Sequence, residues 1–258
     1  MDGTILERVM RHDRAVVIGG LSLLILLSWS YLVLNADISS RDMAGMAMPM
    51  GPVTWTAEHW VAMLVMWLVM MVAMMLPSAT PMILLYARIA RGHAPANEPA
   101  VGTGFFTLGY IAVWGLYSVA AVVVQFWLDR MALLSPMMKT TSLAVAGSVL
   151  IMAGLYQWTP LKRACLKRCR SPLEFVLTHW RTGASGAFVM GVHHGLYCVG
   201  CCGVIMLLLF FGGVMSLGCI AGIAALVLVE KLFPAGPWVG RMAGTLLMAW
   251  GAGLLMAM

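Results

Sequence analysis

Residues 193–202 read HHGLYCVGCC, two histidines and three cysteines within ten positions. Imidazole and thiolate are ligands for borderline and soft metal ions, and Cys-x-x-Cys, here Cys198 and Cys201, is also the spacing of dithiol redox centres. At about 100° per residue, a helix carries His194, Cys198, Cys201 and Cys202 within an arc of about 100°. His194 with Cys198, and Cys198 with Cys202, are i,i+4 neighbours and close enough to share one ion. A regular helix turns His193 elsewhere. Ionised thiolates in an apolar setting need a counter-charge, which a bound cation supplies. The bland alternative is that cysteines are small buried apolar residues; it serves for one Cys better than for three on one face.

Methionine is the second signal, with 24 in 258 residues. On a helix His59, Met63, Met66, Met70 and Met74 fall within an arc of about 80°, and Met71 and Met75 point off it. Ahead of them the stretch MAGMAMPM offers Met43, Met46, Met48 and Met50 among small residues. Thioether is a poor ligand for most ions and suits Cu(I). Core or lipid packing explains the helical stripe well and the loop less well. A third group, TPLKRACLKRCRSPL, sets Cys165 and Cys169 four apart amid five basic residues. In LVEKLFP, Glu230 and Lys231 are adjacent and so do not face each other on a helix; they either snorkel to an interface or turn toward the cysteines.

These residues sit in a chain that is 62% hydrophobic and 10% charged, against roughly 25% charged for a soluble domain. Apolar runs near the roughly 20 residues of a bilayer crossing occupy 15–34, 60–85, 105–128, 142–158, 183–233 (two crossings) and 239–258. The expected fold is therefore all-α, a polytopic transmembrane bundle of about seven spans with the N-terminus inside. Orientation follows from the 16 Lys and Arg residues, of which only Arg41, Arg130 and Lys139 fall outside on that topology. The net charge of +6 is thus a matter of topology and no nucleic-acid footprint. A single integral membrane domain is expected over 1–258: an anchor helix at 1–34, read as retained rather than cleaved, an external Met-rich loop at 35–58, and the bundle at 59–258. Pro77 and Pro81 are expected to break or kink the second helix, freeing carbonyls. The spacings Gly218 to Gly222 and Gly236, Gly240, Gly244 suit close helix packing.

The segments MMVAMMLPS, YQWTPLKRACLKRCRSPL, HHGLYCVGCCGVIMLLLFFGGVMSL and LVEKLFP resemble a bacterial family of predicted metal-binding integral membrane proteins, a domain of unknown function. The resemblance runs over roughly residues 60–255. It implies metal binding on His194, Cys198, Cys201, Cys202, Cys165 and Cys169. Gly203 stands where the family pattern has Trp, and His193 where it often has Arg.

Together these readings lead to a multi-pass protein of the bacterial cytoplasmic (inner) membrane that binds a soft ion, Cu(I) first and zinc as the alternative, and transports it or delivers it. The expected partners are the lipid bilayer, the ion, a metal-donor or acceptor protein and further copies of the chain. Binding and transfer require no catalysis. Two other readings stay open: a membrane thiol-disulfide oxidoreductase using Cys198 and Cys201, and a scaffold subunit with a structural metal site.

Overall fold

The computed structural model describes the backbone of residues 3–45, 54–93, 99–135 and 138–257. Met46, Met48 and Met50 lie outside the described residues, as does the side chain of Met43. Among the described residues the chain forms ten helices and no strand. They are α1 (Gly3–Gly45), α2 (Ala57–His93), α3 (Pro99–Arg130), α4 (Leu143–Trp158), α5 (Pro160–Arg170), α6 (Pro172–His179), α7 (Gly183–Met206), α8 (Leu208–Gly212), α9 (Leu217–Leu232) and α10 (Gly236–Met256).

Local chemistry sets most boundaries. Ser142, Thr159 and Ser216 cap α4, α5 and α9 by accepting from the backbone N–H of Val145, Lys162 and Cys219. Pro160 and Pro172 open α5 and α6 at the first turn, where no N–H is needed. Gly213, with φ +96°, ends α8 in a conformation other residues avoid. Helix α1 runs on to Gly45, past the expected end of the anchor at Leu34, because residues 35–44 contain neither Gly nor Pro to stop it.

The expected break in α2 does not occur. The helix continues through Pro77 and Pro81, and the carbonyl that Pro77 leaves without its usual donor, that of Ala73, accepts from Trp29 Nε1 of α1 at 3.1 Å. Ser78 Oγ and Thr80 Oγ1 donate back to the Met75 and Leu76 carbonyls at 2.9 Å each. Neighbouring groups thus satisfy part of the backbone around the prolines, and the helix is not interrupted.

Helix α7 is the pivot of the core. It packs against α3 along a seam where a side-chain carbon on Gly191 would collide with the Phe106 carbonyl and one on Gly109 with that of Phe188. The second tight pair, α4 with α10, uses Gly147, Gly154, Gly244 and Gly251 in the same way. Gly236, Gly240 and Gly244 do pack closely as expected, whereas Gly218 and Gly222 meet open space. Trp67, Phe106, Tyr110, Trp114 and Phe175 are fully buried, with Met70, Met71, Met74 and Met75.

Five stretches, 15–36, 57–91, 101–130, 183–212 and 236–256, are long and apolar enough to cross a membrane. A sixth arises if α4 and α5, bent by 63°, count as one. Helices α4 and α9 have 16 residues each, short of the roughly 20 that a perpendicular crossing takes. The outer faces of α1 and α10 expose Leu23, Leu26, Leu34, Trp238, Leu246 and Trp250.

Candidate metal centre

Half-way along α7 the side chains of Cys198, Cys201 and Cys202 are all buried. Their sulfurs adjoin one another and that of Cys169. Cys202 Sγ lies 4.0 Å from Cys198 Sγ and 3.6 Å from Met75 Sδ of α2, so that two thiols and a thioether form a continuous row. Cys201 Sγ lies 3.8 Å from Cys169 Sγ of α5, and Cys198 adjoins both of these thiols. All six cysteines are free thiols. Among the described residues no three His, Cys, Asp or Glu side chains close on one point; the third donor beside Cys198 and Cys202 is a methionine.

Buried charge gives the site its character. Lys231 reaches in from α9 and places Nζ 2.9 Å from Cys198 Sγ and 3.0 Å from Ser78 Oγ. Tyr110 of α3 bridges from the Met75 carbonyl, 3.2 Å away, to Cys198 Sγ at 3.1 Å. An ammonium so placed is a counter-ion to a thiolate in a low-dielectric pocket. Glu230, the neighbouring residue, points away from it and pairs with Lys162 at 2.7 Å. Gln157 donates to the same carboxylate at 3.0 Å. Neither Glu230 nor Lys231 snorkels: with side chains about 100° apart around α9, each has a buried partner of its own.

Lys162 belongs to α5, so this ion pair fastens the basic elbow to the bundle. Arg170 adds bonds to the carbonyls of Glu230, Phe233 and Pro234 at 3.3, 2.8 and 3.3 Å, completing the end of α9. Thus α5 is held with Cys169 facing Cys201. Cys165 packs over Gly200, where a side-chain carbon would come within 2.6 Å of its Sγ. The Gly200 carbonyl also accepts from Tyr156 OH.

His194 is buried one turn before Cys198, its ring among Phe106, Tyr110 and Phe175 at centroid distances of 6.1, 5.7 and 5.5 Å. Among the described residues its Nδ1 has no hydrogen-bond partner. His193 faces His179 instead, ring centroids 5.8 Å apart. Met66, Met70 and Met74 are buried along α2 and Met63 half-buried, while His59 sits against Trp55 at the start of the helix. The methionine that meets the cysteines is Met75, outside the arc drawn from His59. Cys219 stands apart, its Sγ 3.8 Å from the Leu208 carbonyl.

The donor set fits a soft ion. Metal–sulfur bonds of about 2.3 Å put two sulfurs of a trigonal or tetrahedral shell about 3.8–4.0 Å apart; Cys202 Sγ is 4.0 Å from Cys198 Sγ and 3.6 Å from Met75 Sδ, and the pair Cys201–Cys169 is 3.8 Å apart. Fold and site together define a helical bundle that buries a row of sulfur donors beside one cation, the equipment of a protein that handles a soft metal ion. Residues 64–254 match the model of a family, PpoB2, described as copper chaperone. The chain belongs to this copper-chaperone family. No curated protein and no solved structure matches it.

Proposed function

We propose that the protein is an integral membrane copper chaperone that holds Cu(I) between Cys198 and Cys202, with Met75 as third donor, and passes it through Cys201 to Cys169 and Cys165. The observation that carries this reading is the row Met75, Cys202, Cys198 ending on the Lys231 ammonium. Two thiolates, one Cu(I), a neutral thioether and one ammonium sum to zero charge. The same set around Zn(II) would carry a net positive charge in a buried pocket, which is costly. Charge balance thus favours the monovalent ion, a discrimination that a soft-donor argument alone does not supply. His194 Nδ1, buried and unpaired, is the spare donor one turn away.

Transfer is ligand exchange: an incoming thiolate joins the shell before an outgoing one leaves, so the ion is never bare. Cys201, on the same turn as Cys202 and 3.8 Å from Cys169, is the stepping point to the elbow. The basic surface of α5, with Lys167 and Arg168, suits an acidic acceptor protein on that side. The bundle is read as about seven crossings of the bacterial cytoplasmic membrane with the N-terminus and α5 inside, counting the short α4 and α9. Thioethers toward the outer end and thiolates toward the inner one make an inward gradient of affinity. The redox reading loses ground because Cys201 turns to Cys169 and to the Cys198 carbonyl, 3.1 Å away.

The test is elemental analysis with thiol counting on protein purified under reducing conditions. The expected result is about one copper per chain with every thiol reduced, and loss of that copper in Cys198→Ser and Cys202→Ser, since a hydroxyl keeps the size and loses the soft donor. Full copper retention in the triple Cys198→Ser, Cys201→Ser, Cys202→Ser variant would falsify the assignment. A native Cys198–Cys201 disulfide without bound metal would transfer the case to the oxidoreductase.

A further inference from the structure

At the other end of α2, Met63 and Met138 converge on one buried amide. Gln125 Nε2 lies 3.3 Å from Met63 Sδ and 3.2 Å from Met138 Sδ. Its Oε1 accepts from Trp67 Nε1 at 2.7 Å. Indole N–H is only a donor, so Trp67 fixes which end of the amide faces the sulfurs. Both amide protons therefore go to thioethers, which are weak acceptors. The lone pairs of both sulfurs thus point at one amide nitrogen, Gln125 Nε2. Met138 comes from the α3–α4 loop with φ +54°. That conformation is uncommon for a non-glycine residue and is held only when the surroundings enforce it.

The setting suits a monovalent soft cation. Asp129 lies one turn along α3 from Gln125, its Oδ2 held by Trp55 Nε1 at 2.8 Å, and supplies negative charge about 6 Å farther along the axis. His59 is one turn outward from Met63. In the inward direction Met66, Met70 and Met74 are buried at successive turns, bridging the roughly 18 Å of helix between Met63 and Met75.

We propose that Met63 and Met138 form a second, weaker Cu(I) site in which Gln125 Nε2 holds the two sulfurs in place until the ion takes their lone pairs. The proposal rests on the copper reading above and makes this pair its outer station, feeding the methionines of α2. Neutral thioethers bind less tightly than thiolates, so an ion released here moves toward Cys198 and Cys202.

Full-length protein in detergent, kept anaerobic and reduced, is titrated with Cu(I) against a chromophoric chelator. Two affinity classes are expected. Met63→Leu and Met138→Leu each weaken the lower class at least tenfold and leave the higher one unchanged, while Met131→Leu, at an exposed neighbour, changes neither. Leucine conserves volume, so packing is largely kept. Independently, Ag(I) added to wild-type protein carrying ¹³C-methyl methionine shifts the Met63 and Met138 methyl signals at a common equivalence point. An unaltered lower class in the double variant overturns the outer site, as do methyl signals that stay fixed. Loss of the higher class only in the cysteine variants separates this outcome from failure of the cysteine reading.

Discussion

Replacing Lys231 with leucine keeps an apolar chain, introduces no sulfur donor and deletes the ammonium that lies 2.9 Å from Cys198 Sγ and 3.0 Å from Ser78 Oγ. Unit charges at that separation attract by about 6 kcal/mol at an effective dielectric of 20, and removing one partner of a buried pair costs about 3–5 kcal/mol. If about 3 kcal/mol of this acts in the loaded site, Cu(I) affinity falls about 100-fold, each 1.4 kcal/mol being a factor of ten. Zn(II) moves the other way. Two thiolates and a divalent ion are neutral once the lysine is gone, so the ratio of copper to zinc affinity falls by more than the copper loss alone. Lys231→Arg keeps the charge and recovers most of the preference, though the larger head crowds Tyr110. The assay is competition of each ion against a chelator of known affinity with protein in reducing buffer. Copper bound as tightly by Lys231→Leu as by wild type, at an unaltered ratio to zinc, would refute the charge-balance argument. Tighter copper binding would mean that the lysine competes for the site and does not complete it.

Two further variants probe what holds the site. Trp29→Phe keeps an aromatic ring but leaves the Ala73 carbonyl without its 3.1 Å donor, so a loss of about 1–3 kcal/mol is expected; thermal unfolding in detergent reads it, and an unshifted midpoint would show that Pro77 needs no such partner. Glu230→Gln strips Lys162 of its 2.7 Å counter-charge, at about 3–5 kcal/mol. The elbow α5 should loosen, and alkylation of Cys169 should speed up several-fold while Cys219 reacts as before; equal rates at Cys169 would mean that Arg170 and the caps suffice.

The helical bundle was legible because composition and apolar length speak for themselves, and so was the alignment of Cys198 and Cys202, since an i,i+4 pair on a regular helix has little choice. What periodicity could not give is which face of a helix meets which neighbour. The stripe from His59 to Met74 is a real face of α2, but α2 is buried on more than one side, and Met75 and Met71 are as enclosed as Met70 and Met74. The choice between them is made by α7, which has no sequence proximity to α2. Cys201 shares the arc of Cys198 and Cys202 on α7, and the sequence could not show that Cys169 of α5 meets it there. Lys231 had a signal: a cation in an otherwise apolar segment rarely sits there without a partner. The expected break at the prolines failed because the carbonyl freed by Pro77 is bonded by Trp29, a residue 44 positions away in the chain. The 16 residues of α9 show why the crossing number was the weaker part of the reading: length within an apolar run does not reveal where the chain turns.

The adjacency of Glu230 and Lys231 also explains a feature of the architecture. Consecutive helical residues point about 100° apart, and here the two directions lead to different parts of the proposed copper route. Lys231 reaches the buried thiols, and Glu230 holds the arm that carries Cys165 and Cys169. One rigid turn of α9 therefore sets the position of both, so a displacement of α9 would move the counter-charge and the receiving thiols together. The room for this comes from α10, where Gly236 and Gly240 lie against Glu230 so closely that a side-chain carbon on either would strike it. A single added methyl at Gly240 should thus disturb copper handling from a helix that contributes no ligand.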